Sequence, residues 1–89
     1  MLFRSNPFNP TTVIRYELPI ESKVILKIYN VLGQHVATVV DEVQEAGYKS
    51  EEWDAGKTAS GVYIFRIEAI SVSDPGKSFS QTRKMLLIR

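Results

Sequence analysis

Apolar and polar residues alternate along most of this chain with a period of two, the spacing of a half-buried β-strand. From Thr12 to Leu18, the residues Ile14, Tyr16 and Leu18 fall on one face, and Arg15 and Glu17 on the other. Pro19 has no N–H to give a ladder, so it ends that strand. A second strand is predicted from Lys23 to Asn30, with Val24, Leu26 and Ile28 opposite Ile25, Lys27 and Tyr29. The turn Asn30-Val31-Leu32-Gly33 follows. Its glycine can take the left-handed conformation that closes a type I turn with a bulge, a hairpin signature.

The pattern then becomes ambiguous. Val39, Val40, Val43 and Ala46 would also share one helical face, but the β-branched run and Gly47 favour extended backbone. A third strand is therefore expected from about Gln34 to Val40, continuing toward Val43. Gly47 to Trp53 reads as the next strand, and Asp54 to Gly61 as a loop. Val62 to Val72 and Ser78 to Ile88 are the last two strands, joined by a turn at Asp74-Pro75-Gly76. Short strands at this spacing predict an all-β sandwich of six or seven strands. Its expected inward set is Ile14, Tyr16, Leu18, Val24, Leu26, Ile28, Val36, Trp53, Tyr63, Phe65, Ile67, Met85 and Leu87.

Size and charge narrow the possible functions. The 89 residues make one small domain, which buries roughly 60–65% of its unfolded surface and has little material for a deep cleft. With a net charge of +1 and no basic run, nucleic acid is not the expected partner. The chain has no cysteine, so it can form neither a disulfide framework nor a thiolate metal site. No stretch approaches the ~18 apolar residues of a membrane span, and none has the form of a signal peptide. We expect the chain to be one piece of a longer protein whose targeting information is not N-terminal.

Candidate chemistry is sparse. His35 is the single histidine and supplies one ligand where a metal site needs several. No motif places it near a nucleophile. Asp41-Glu42 and Glu51-Glu52 are adjacent pairs, and neighbouring strand residues point to opposite faces, so neither pair forms an acid–base site by itself. They read as charges that protect a sheet edge. The tripeptide Gly56-Lys57-Thr58 lacks the strand–loop–helix setting of a phosphate loop. Tyr29 and Tyr48 are the aromatics expected outside the core, a possible sugar-stacking pair. No catalytic, cofactor-binding or metal-binding residue is assigned.

The ordered segments "NPFNPTT", "IRYELP", "VILKIYNVLGQHVATVV", the Gly47 to Trp53 strand, "ASGVYIFRI" and "TRKMLLIR" resemble the type A C-terminal sorting domain of the type IX secretion system. That resemblance implies an Ig-like antiparallel β-sandwich of about seven strands spanning residues 6–89, with residues 1–5 as a lead-in or linker. It implies a non-catalytic label on larger N-terminal cargo domains, read by an outer-membrane translocon and commonly removed by a sortase. The cargo would pass through the periplasm to the cell surface or the medium. The family's recognition determinants correspond here to Ser60, Gly61, Val62, Tyr63, Lys84, Met85, Leu86 and Leu87, with Arg89 added as a terminal cation.

Two departures stand out. Lys49 and Glu51 share the face of Trp53, which suits an edge strand rather than a buried one. The stretch from Ala69 to Gln81 is longer than a short hairpin and should project as a ribbon or loop. Two other functions fit a compact module without an active site: a structural or adhesive Ig-like unit, and a carbohydrate-binding accessory to a secreted hydrolase. The Asn-Pro steps at Asn6-Pro7 and Asn9-Pro10 read as a stiff entry to the first strand. Asn9-Pro10-Thr11 is no glycosylation acceptor, because proline occupies the forbidden middle position.

Overall fold

Period-two alternation becomes six strands in the computed structural model, which describes residues 11–56 and 58–87. They are β1 (Thr11–Leu18), β2 (Ser22–Asn30), β3 (His35–Gln44), β4 (Gly47–Asp54), β5 (Gly61–Ser71) and β6 (Ser78–Leu87). The two Asn-Pro steps and Arg89 lie outside the described residues. β1 and β4 form a two-stranded antiparallel sheet; the other four form a sheet in the order β3-β2-β5-β6. Among the described residues the sandwich thus has six strands, where about seven were expected. The loop after β4 returns directly to β5 in the opposite sheet and adds no strand to the smaller one.

β2 is the centre of the core. It pairs with β3 on one side and β5 on the other, and its inward residues Val24, Leu26 and Ile28 are fully buried. Ile14 and Leu18 from β1 and Trp53 from β4 cover it from the smaller sheet, while Tyr63, Ile67 and Leu87 extend it along β5 and β6. Tyr16, Val36, Phe65 and Met85 of the expected inward set are only partly buried against this cluster. Val40, Ala55 and Ala69 are buried as well, and alternation alone had not singled them out.

The ambiguous segment is a strand that continues through Val43, with two breaks in register against β2. One extra residue at each break shifts the alternation by one position. That is why Val36, Ala37, Val39 and Val40 fail a period-two test although all lie in one strand. Bulges also suit an edge strand, because they spoil it as a template for other chains.

The turns follow their glycines. Gly33 has φ 81°, its N–H reaches Asn30 O at 3.0 Å, and Asn30 N reaches Gln34 O at 3.0 Å. The Asn30 side chain also accepts from Leu32 N and Gln34 N. This is the bulged type I hairpin that the sequence predicts. At the other hairpin, Lys77 N bonds Asp74 O at 2.8 Å and Gly76 does not take a positive φ, so the turn is type I. The stretch from Ala69 to Gln81 does not project as a ribbon. β5 stays paired with β2 as far as Ser71 and with β6 as far as Ile70, and Val72 N bonds Glu21 O at 3.1 Å, so the sheet itself runs on to the tight turn.

Candidate recognition surface

His35 is exposed; its Nε2 lies 2.9 Å from Thr38 Oγ1, and its ring packs edge-on to Tyr29 with centroids 6.1 Å apart. No group of three or more His, Asp or Glu side chains among the described residues could hold a metal ion. Asp41 pairs with Lys23 at 2.9 Å. Lys23 holds the exposed Asp41 carboxyl below its ordinary range, by hydrogen bond first and charge second. Tyr29 and Tyr48 stand on the outer faces of different sheets, so they do not form one stacking platform.

The departures at Lys49 and Glu51 have a structural answer. Among the described residues β4 pairs only with β1, so it is an edge, and Glu51 reaches a polar network rather than the apolar core. The Tyr16 hydroxyl donates to Gln44 Oε1 at 2.6 Å. Gln44 Nε2 donates to Glu51 Oε2 at 3.0 Å and Glu42 Oε2 at 3.1 Å. The sequence offered no signal for this network, because its members come from three strands joined only by tertiary contact.

Burial, then the nearby Glu51 charge, push the Tyr16 phenol from 10.0 up to about 12, against a lowering effect of the Gln44 bond. Because the folded protein holds this proton more tightly than the unfolded chain, the stabilisation is fully present below pH 10 and is lost as pH rises through about 12. Absorbance titration should show one tyrosine ionising near pH 12. Tyr16→Phe should remove both that step and the alkaline slope in stability.

The two segments implied in recognition are separated in the chain and adjacent in space. Gly61 opposes Leu87, Val62 opposes Leu86, Tyr63 opposes Met85, and Ile64 opposes Lys84. Alternation divides their side chains between two faces. Tyr63, Met85 and Leu87 point into the sandwich, where Tyr63 donates its hydroxyl to Ala59 O at 2.7 Å and packs edge-on to Trp53. Val62, Lys84 and Leu86 point outward and line a shallow open groove with Met85 at its margin. Gly61 opens β5 with φ 155°, a conformation side chains rarely adopt. Ser60, just before it, is exposed. β6 is the last strand of its sheet, so its far edge has no partner strand among the described residues.

A family model described as a secretion system C-terminal sorting domain matches residues 5–81. The match covers β1 to β5 and ends within β6. No curated protein and no solved structure matches the chain.

Proposed function

The chain belongs to the secretion system C-terminal sorting domain family of the type IX system, and from that premise we propose that it is a non-catalytic label directing attached N-terminal cargo through an outer-membrane translocon. In this reading the cargo passes through the periplasm and ends at the cell surface or in the medium, and a sortase removes the label during attachment or release. The observation that supports it most is the juxtaposition of Val62 with Leu86 and of Ile64 with Lys84 on the outer face. One small surface at the end of a sheet gathers both implied recognition segments. A label needs such a surface and a stable fold behind it, and no active site.

A reporter carrying an N-terminal signal and this domain at its C-terminus should reach the surface of a host with a type IX system. Protease accessibility on whole cells measures this. Retention of the folded fusion in the periplasm would sink the reading.

A further inference from the structure

Among the described residues, β6 presents an unused backbone edge together with an outward row of side chains that contains no negative charge. Ser71 N donates to Lys77 O at 3.0 Å, and the register continues unbroken from Ile70 and Ser78 to Gly61 and Leu87. Hydrogen-bonded and non-bonded pairs alternate along antiparallel strands. The odd-numbered residues of β6 therefore bond to β5. Ser78, Ser80, Thr82, Lys84 and Leu86 direct their N–H and C=O groups at the free edge. The side chains of these same residues lie on the outer face, next to Val62 and Ile64.

The chemistry of that face is one-sided. No Asp or Glu occurs from Pro75 to Leu87, and Lys84 is the charged side chain of the outward row, while Arg83 opposes Phe65 on the other face. The outer-face carboxylates Asp41 and Glu68 are already paired with Lys23 and Arg66, and Lys84 makes no ion pair among the described residues. Beside it, Leu86 is 65% and Val62 41% exposed, and Val31 and Leu32 are exposed as well at the same end of the sheet. A second copy adding through its own β6 would bring only cations to the interface.

We infer that the partner adds an extended segment to the free edge of β6, with a carboxylate beside Lys84 and an apolar side chain two positions along, beside Leu86 and Val62. This inference rests on the sorting reading. The main-chain bonds would supply affinity, and the acidic–apolar pair would set register and identity. Alternation places such a pair on one face.

The reporter fusion tests it with three variants. Thr82→Pro removes an edge-facing N–H that β5 does not use, a substitution edge strands tolerate. Lys84→Glu reverses the charge, and Leu86→Asp spoils the apolar contact. Glu52→Lys, on the exposed outer face of the smaller sheet, is the control. With unchanged thermal melts, each β6 variant should lower surface display about tenfold or more, since like charges or lost contacts at a fitted strand weaken binding strongly. The control should be displayed normally.

Full display of a folded Thr82→Pro variant excludes strand addition, and full display of Lys84→Glu excludes the carboxylate. Equal loss in the control excludes β6 as the site. If Thr82→Pro does not fold, the two solvent-facing substitutions decide. Failure of the unmodified fusion to leave the periplasm would instead overturn the sorting reading itself.

Discussion

Leu26→Ala should destabilise the domain by about 2–5 kcal/mol, the range for deleting a buried leucine side chain and leaving part of its cavity unfilled. The upper half of that range is expected here. Leu26 is fully buried in the central strand of the larger sheet, with fixed strands on both sides and the β1–β4 sheet above. Little can collapse into the gap. A domain of this size has only about 5–15 kcal/mol of net stability, commonly near the lower end, so a large fraction should be unfolded at growth temperature. Denaturant unfolding followed by fluorescence of the buried Trp53 gives the measurement. A loss below about 1 kcal/mol would mean that the two sheets are not packed over Leu26 as described.

Tyr63→Ala should cost about 3–5 kcal/mol, the range for removing a buried aromatic ring, and should abolish export through unfolding. Tyr63 is 7% exposed, its ring meets Trp53 at 5.8 Å, and its hydroxyl ties down Ala59 in the loop entering β5. Tyr63→Phe keeps the ring and loses one hydrogen bond, a change of about 1 kcal/mol, and should be exported normally. Its neighbour Val62 faces solvent and should behave the opposite way, with polar substitution sparing the fold. Paired melting curves and display assays on these variants separate the two roles. If folded Tyr63→Phe failed to be exported, the hydroxyl would belong to the recognised surface rather than to the core.

This division changes how the implied recognition residues are read. Tyr63 and Leu87 are buried and Met85 partly so, and each is explained by the sandwich. Val62, Lys84 and Leu86 face solvent with no comparable structural role, and it is these that the proposed strand addition would use. One-dimensional motifs mix the two kinds because adjacent strand residues belong to opposite faces.

Much of the fold could be read locally. Ile14, Leu18, Val24, Leu26, Ile28 and Ile67 are buried as their period-two spacing predicts. Gly33 closes the expected hairpin because only a residue without a Cβ takes φ 81° at little cost. The bulged β3 was harder, since two extra residues shift its phase. Ala55 and Ala69 are small enough that no apolar signal marks them, and Ser22, Gln44 and Ser71 are polar residues whose burial depends on hydrogen bonds from distant or irregular segments.

The sequence by itself determined that the chain forms short antiparallel strands with one apolar face, where the hairpins turn, and that no catalytic set is encoded by motif. These depend on neighbouring residues and on φ/ψ preferences, which act within a few positions. Only the tertiary structure decided which strands share a sheet, that β4 pairs with β1, and that among the described residues β6 ends the larger sheet with one edge free. Backbone hydrogen bonding is nearly the same for any pair of strands, so the choice of partner is made by which apolar faces can be buried together. That choice brings Val62 and Leu86 side by side.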